Sequence, residues 1–251
     1  MDLNLKGLRV FVSGSSQGIG RGILEAFLNE GCLVVSNARN EEFLTESIHN
    51  LENCFSVIGD VSDPEQANEI VTKAVNLIGG IDILICNVGN GTSVEPGKES
   101  YKEWQRMFGV NFFSTTNLVE AATKELKKSK GVILCISSIC GLEVIPGAPV
   151  TYSVAKAALN AYIRGISRPL AENGVRINGI APGNILFPGS VWEKKMEDNS
   201  LLVKKMLKQN VPLNKMGTVD DVANLALWLS SPVSEFVTGA VFNSDGGQTR
   251  F

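Results

Sequence analysis

The sequence predicts an α/β fold, a doubly wound parallel sheet of about seven strands with helices on both faces. Three observations predict it. Short β-rich apolar runs recur at 10–12, 33–35, 55–58, 81–85, 132–136, 175–180 and 237–242. Their apolar residues are consecutive rather than alternating, as strands covered on both faces require. Segments with helical patterning separate them, at 20–30, 41–50, 64–78, 104–127, 152–171 and 220–229.

The elements follow in order. The first strand runs into Gly14-Ser15-Ser16-Gln17-Gly18-Ile19-Gly20 and then a helix. The second leads through Ser36-Asn37-Ala38-Arg39-Asn40 to a polar helix. Asp63-Pro64 then supplies an N-cap and a proline at the first helical position. In the helix over 104–127, Val110-Asn111-Phe112 places an amide among apolar residues. The strand over 132–136 ends in Ser137-Ser138, which puts a hydroxyl at the carboxyl edge of the sheet. The helix over 152–171 begins with Tyr152-Ser153-Val154-Ala155-Lys156 and stops before Asn173-Gly174, with Pro169 in its last turn as a possible kink. Segment 183–211 opens irregularly around Pro188-Gly189 and becomes amphipathic and charged. An insertion after a late strand is well placed to cover the ligand crevice of an open α/β sheet, so 183–211 is read as a substrate-binding loop. No low-complexity linker or internal repeat divides the chain, and 1–251 is read as one domain.

Composition narrows the chemistry. With 23 basic against 26 acidic side chains and a net charge of -3, the chain lacks the basic footprint of nucleic-acid or anionic-membrane binding. A single histidine, His49, excludes multi-histidine metal sites and His-carboxylate relays. No metal is expected. Five cysteines, an odd number without a CxxC pair, sit mostly in apolar runs and read as buried thiols of a reducing compartment. The chain start lacks a basic segment followed by an apolar core, and no apolar run approaches the roughly 20 residues that span a bilayer. A cytoplasmic location is expected.

The glycine loop has two readings beyond a structural turn. Glycines between strand and helix allow a tight turn and close backbone approach to a phosphate, and the helix N-terminus offers unpaired N–H groups to an anion. The same residues spell Gly14-x-Ser16-x-Gly18, the pattern of a hydrolase nucleophile elbow. That triad needs a later histidine, whereas His49 lies early on a polar helix and reads as solvated. At the end of the second strand a ribose 2'-hydroxyl wants a carboxylate and a 2'-phosphate wants a cation. No carboxylate stands there; Arg39 does, so NADP(H) is expected over NAD(H), the bland alternative being a surface arginine.

Tyr152 and Lys156, four apart, share one helix face. A phenol with a pKa of about 10 is a poor proton donor at neutral pH, and a neighbouring ammonium is expected to lower it. Taken alone, Tyr152-Lys156 also reads as a surface pair, Ser138 as a turn cap and Asn111 as an amide satisfied by backbone or water.

In combination these residues resemble the short-chain dehydrogenase/reductase family over essentially the whole chain. Ser13-Gly14-x-x-x-Gly18-Ile19-Gly20 matches its TGxxxGIG loop, with serine for threonine. Asp60-Val61 matches its adenine-contacting pair, and Cys86-Asn87-Val88-Gly89 its NNAG. Ser138, Tyr152, Lys156 and Asn111 match the four catalytic residues, Ala181-Pro182-Gly183 the APG segment, and Ser244-Asp245-Gly246-Gly247 the terminal VDGG. The pattern looks most like members typified by 3-oxoacyl carrier-protein reductase and related carbonyl reductases.

The resemblance implies a Rossmann-type fold and hydride transfer between a nicotinamide and a carbonyl or secondary alcohol, with Gly14, Ser15, Ser16, Gln17, Gly18, Ile19, Gly20, Arg39, Asp60, Val61, Asn87, Gly89, Tyr152, Lys156, Gly183 and Ile185 toward the cofactor. It implies that Tyr152 donates the proton, Ser138 orients the substrate oxygen, Lys156 lowers the tyrosine pKa and grips the nicotinamide ribose, and Asn111 holds a relay water. It also implies a homotetramer or homodimer through the helices over 104–127 and 152–171. Two alternatives remain at this stage: an NAD-dependent alcohol or sugar dehydrogenase, and a non-catalytic NADP-binding regulator. Phe187 stands where many relatives carry a threonine that holds the nicotinamide carboxamide, which puts that contact in doubt. Phe187 and Trp192 could touch substrate or pack the loop onto its own domain, and Lys194 and Lys195 could steer an anion or face solvent.

Overall fold

A computed structural model of the chain describes residues 2–250. Its strands are β1 (Arg9–Ser13), β2 (Leu33–Ala38), β3 (Cys54–Ile58), β4 (Ile83–Cys86), β5 (Val132–Ile136), β6 (Arg176–Pro182) and β7 (Val241–Ser244). They form a seven-stranded sheet in the order β3-β2-β1-β4-β5-β6-β7, and every pairing is parallel. The order reverses between β1 and β4, where Val12 faces Ile85. The loops leaving β1 and β4 therefore splay apart at their carboxyl ends and open a crevice.

The pleat explains the consecutive apolar runs. Val10, Phe11 and Val12 are all fully buried, Phe11 on one face and its neighbours on the other. The Phe11 face is covered by α3 (Pro64–Ile78), α5 (Ser114–Ser129) and α6 (Val150–Ala171) through Ile70, Leu118 and Leu159. The opposite face takes α1 (Gly18–Asn29) and α8 (Val219–Ser230) through Phe27 and Ala226. Removing a ring such as that of Phe11 costs about 3–5 kcal/mol, because the transfer loss adds to an unfilled cavity. The polar helix is α2 (Glu41–Ile48), capped by Asn40, which accepts from the Phe43 N–H at 2.9 Å. The expected Asp63 cap is present: its Oδ1 accepts the N–H groups of Glu65 and Gln66.

Several boundaries differ from the sequence reading. The helix expected over 104–127 begins earlier, as α4 (Tyr101–Phe108), and is interrupted by a π-helical turn, Gly109–Phe113, before α5. The Asn111 side chain lies buried in that turn with three polar bonds, so a locked amide accompanies the extra residue in the turn. α6 continues past Pro169 to Ala171, and the carbonyl that the proline ring crowds belongs to Gly165. Strand β7 starts at Val241 rather than 237, because Gly239 turns the chain at φ +74. Segment 183–211 is more regular than expected: α7 (Val191–Asn210) fills most of it, broken only at Asn199, whose Oδ1 caps the second half at the Leu202 N–H. No helix among the described residues is long and apolar enough to cross a membrane.

Candidate active site

Four loops meet above the carboxyl ends of β1, β4, β5 and β6. Ser13, at the end of β1, donates its hydroxyl to Ile85 O (3.2 Å) and accepts the Asn87 N–H (3.0 Å). Asn87 returns both side-chain protons, to Ser13 O (3.0 Å) and Gly14 O (2.9 Å). These bonds tie the glycine loop to β4 across the switch point. Asn87 thus braces the loop with its donors engaged, and only its carbonyl is left to face a ligand.

The loop itself needs glycine at Gly14 (φ +62) and Gly18 (φ +58), a backbone region costly for other residues. Gln17 stands at the N-cap of α1 in extended conformation without a side-chain cap bond. The first-turn amides of Gly18, Ile19 and Gly20 thus carry no capping side chain, which is what a bound diphosphate requires. Ser16 is half-buried and Gln17 exposed beside them. Ser15 corrects the sequence reading. It is fully buried, its hydroxyl bonds Val12 O (2.8 Å) and Ser36 Oγ (2.8 Å), and its N–H donates to Asn37 O (3.1 Å). Its hydroxyl and N–H join the loop to β1 and β2.

At the end of β2 the exposed Arg39 lies 3.5 Å from Asp60. The other Asp60 oxygen accepts the Ser62 N–H (2.9 Å) and hydroxyl (2.7 Å). Burial alone would raise this carboxyl, but the Ser62 bonds and the Arg39 charge outweigh it and hold Asp60 below its ordinary value. Val61 sends its side chain into the core, as does Ile185, so any contact of theirs with a nucleotide is through the main chain. Gly183 sits against Asp245, where a Cβ would collide with the Asp245 side chain at 2.8 Å.

Ser138 follows β5 in extended backbone and caps the short 3₁₀ turn Ile139–Gly141, its oxygen accepting the Cys140 N–H at 3.1 Å. The cap reading and the functional one are compatible. The bond from Cys140 fixes the oxygen and leaves the hydroxyl proton free to be donated. Lys156 is 2% exposed, donates to Ile136 O at 2.8 Å and has its ammonium 6.0 Å from the Tyr152 ring centre. Burial pushes this ammonium down to about 8. Burial likewise pushes the half-buried Tyr152 phenol up to about 12, with the adjacent Ser138 hydroxyl pulling weakly the other way. This corrects the expectation of a lowered phenol: in the protein alone desolvation outweighs any effect of Lys156, whose hydrogen bond goes to a carbonyl.

Asn111 accepts the Asn90 N–H (2.9 Å) and donates to Asn90 O (3.1 Å) and Met107 O (3.1 Å). Its amide therefore braces the loop after β4, with one lone pair of Oδ1 to spare. A Cβ placed on Gly89 would lie 3.1 Å from that Oδ1 and 3.2 Å from Lys156 Nζ, so a side chain there would press on both groups.

Phe187 lies on the glycine loop. A Cβ on Gly18 would meet its ring at 2.7 Å, and the side chain belongs to the apolar cluster under α1 and α8. Trp192 packs within the loop's own small cluster, beneath Lys195 at 4.4 Å, while Lys194 is exposed. His49 is exposed at the end of α2. All five cysteines are free, and no group of metal-ligating side chains occurs among the described residues. Sequence reasoning missed Ser93, Glu103 and Thr151, whose side chains bond one another beside Tyr152. The only local signal was Ser100-x-x-Glu103, which reads as a helix cap.

An open parallel sheet with an uncapped glycine loop at its switch point, and Ser138, Tyr152 and Lys156 at the neighbouring strand ends, is the architecture of a nucleotide-dependent oxidoreductase. A family model described as enoyl-(acyl carrier protein) reductase matches residues 14–249. Glucose 1-dehydrogenase 2 of Bacillus subtilis (strain 168) is 33% identical over 99% of this chain and 97% of its own length. The 3-oxoacyl-[acyl-carrier-protein] reductase of Chlamydia muridarum (strain MoPn / Nigg) is 32% identical over 94% of this chain and 95% of its own. The crystal structure of L-sorbose reductase from Gluconobacter frateurii, complexed with NADPH and L-sorbose, superposes with a TM-score of 0.94 at 25% identity, covering 100% of both chains. The chain belongs to the short-chain dehydrogenase/reductase family. It is an oxidoreductase.

Proposed function

We propose that the protein is an NADP(H)-dependent carbonyl reductase in which Tyr152 is the proton donor. The observation that carries this reading is the meeting of Ser138 and Tyr152: a hydroxyl whose oxygen is held by Cys140 N–H lies beside a phenol that burial keeps protonated at neutral pH. A reductive step needs a protonated donor there; the phenol is protonated at neutral pH, although burial makes it a weaker acid than a free tyrosine.

When bound, the nicotinamide cofactor supplies the hydride. The uncapped amides of Gly18, Ile19 and Gly20, with Gly14, Ser16 and Gln17 around them, suit its diphosphate. Arg39, with no carboxylate at the end of β2, suits a 2'-phosphate, and Asp60 and Val61 flank the adenine side. Gly89, Gly183 and main-chain Ile185 are assigned to the cofactor, and Lys156 to the ribose hydroxyls. Ser138 donates to the substrate oxygen, Tyr152 passes its proton to the same oxygen, and Asn111 is assigned the water that relays a proton by way of Lys156 to restore the phenol.

The chain 1–251 works in this reading as one domain, with 183–211 as the substrate-binding loop. A homotetramer or homodimer and a cytoplasmic location accompany it; the free thiols favour a reducing compartment. A second reading, an NAD-dependent dehydrogenase running oxidatively, draws on the relatives named as dehydrogenases. The test is a panel of ketones, β-keto thioesters and keto-sugars assayed with NADPH and with NADH. Efficient turnover with NADPH is expected, and comparable efficiency with NADH overturns the cofactor assignment. Tyr152→Phe should lower kcat by at least roughly 100-fold while NADPH affinity stays within about twofold. Substantial residual turnover refutes the assigned acid.

A further inference from the structure

The chain between β4 and α4 has no regular secondary structure, and Asn90, Gly91 and Thr92 within it are exposed. It is nevertheless held at two points. Asn111 takes both main-chain groups of Asn90. Three residues on, Ser93 Oγ lies 2.7 Å from Thr151 Oγ1 and 2.6 Å from Glu103 Oε1. Arg106 grips the same carboxylate through Nε (2.8 Å) and Nη2 (2.6 Å), and the latter also donates to Thr92 O (2.9 Å).

The proton positions in this chain follow from its end. The Arg106 and Ser93 bonds hold the Glu103 carboxyl at about 2, so above that pH it is a carboxylate and can only accept. Ser93 must therefore donate to Glu103, and its oxygen is left to accept from Thr151. The Thr151 side chain is fully buried, in the first turn of α6, two residues past the N-cap Pro149. It reaches across to the loop, and the next residue is Tyr152. Between the two anchors lies Gly91, whose Cβ position is 3.9 Å from Tyr152 Cζ, the carbon bearing the phenolic oxygen. The loop thus passes beside the reacting end of the phenol, one carbon short of contact.

We propose that Thr151, Ser93 and Glu103 form a clasp that positions Tyr152, locking the first turn of α6 to the loop that walls the substrate side of the phenol. These are positioning residues, and the inference rests on Tyr152 being the proton donor. A purely structural role would change stability and leave the chemical step untouched. A positioning role acts on kcat, since a displacement of about 1 Å at a reacting group can cost on the order of 100-fold.

The test uses the full chain with NADPH and a carbonyl substrate from the panel above. Thr151→Val keeps the shape and removes the hydroxyl; it should lower kcat about tenfold and leave the NADPH dissociation constant within about twofold. Thr151→Ser, which restores the hydroxyl, should return kcat to within about twofold of the parent. Ser93→Ala, at a half-buried site, should match Thr151→Val, and the double variant should be no worse than either single because both break one chain of bonds. Amides of Thr92, Ser93 and Val94 should exchange hydrogen faster in Thr151→Val and Ser93→Ala but not in Thr151→Ser. An unchanged kcat in both disrupting variants, a serine variant as impaired as the valine one, or additive losses overturns the clasp. Should the parent turn over nothing with NADPH, the functional reading falls by itself. Hydrogen exchange then decides the clasp, with unchanged exchange in Ser93→Ala and Thr151→Val overturning it.

Discussion

Asn111 and Lys156 close on the same glycine: a carbon placed on Gly89 would lie 3.1 Å from Asn111 Oδ1 and 3.2 Å from Lys156 Nζ. Both approaches are tighter than an ordinary carbon contact, so the pair leaves little room for a side chain there. The arrangement needs the π turn that carries Asn111 and the buried position of Lys156 together.

Gly89→Ala should therefore act on the relay. The substituted methyl group presses on Asn111 and Lys156, which must give by a few tenths of an ångström, while Gly89 lacks the positive φ that would make alanine strained. With general acid–base catalysis as a whole contributing about 100- to 10,000-fold, loss of proton resupply alone should lower kcat about tenfold. Thermal stability should stay near that of the parent. Steady-state kinetics with scanning calorimetry check both, and an unchanged kcat removes the relay.

Arg39→Ala should weaken NADPH selectively. A charge-assisted bond to a phosphate is worth about 1.5–3 kcal/mol, so KM for NADPH should rise about tenfold to 100-fold. KM for NADH should change little, because NADH lacks the 2'-phosphate assigned to the arginine. Equal shifts with the two cofactors would mean that Arg39 acts through Asp60, its ion-pair partner at 3.5 Å.

Lys156 should leave a signature in stability against pH. Its folded value, about 8, is below the ordinary lysine value, so between about 8 and 10 the unfolded chain binds more protons and this group's contribution to stability rises with pH. At neutral pH it destabilises by up to about 3 kcal/mol, taking 1.36 kcal/mol per pKa unit. Burial has the opposite effect on Cys32 and Cys54, raised to about 12 and about 11; their contributions fall as pH rises past the unfolded thiol value of about 8.5. The difference between the parent and Lys156→Met isolates the lysine. Thermal melts without nucleotide should show Lys156→Met more stable at pH 7 and the gap closing toward pH 10. A constant gap would mean that Lys156 titrates normally.

Much of the fold is legible in the residues because its rules are local. Consecutive apolar runs mark Val10 to Val12 as covered on both faces, and Asp63-Pro64 marks a helix start, since pleat and cap involve residues one to three apart. The i,i+4 pair Tyr152 and Lys156 is likewise fixed by helix geometry, and the ordered motifs identify the family. The π turn at Asn111 is not visible, because one extra residue within a long helical pattern barely disturbs its period. Ser15 and Asn87 resemble ligand contacts in the sequence and prove to have hydrogen bonds within the fold.

By itself the sequence determined the sheet, the glycine loop and the residue types available for proton transfer. Tertiary structure decided their state: which lone pairs remain free, that burial raises Tyr152 and lowers Lys156, that Phe187 rests on Gly18, and that Thr151 reaches Ser93. The physical reason is range. Helix and strand patterns arise between near neighbours, whereas desolvation and the pairing of groups 58 positions apart exist only once the chain has closed around them.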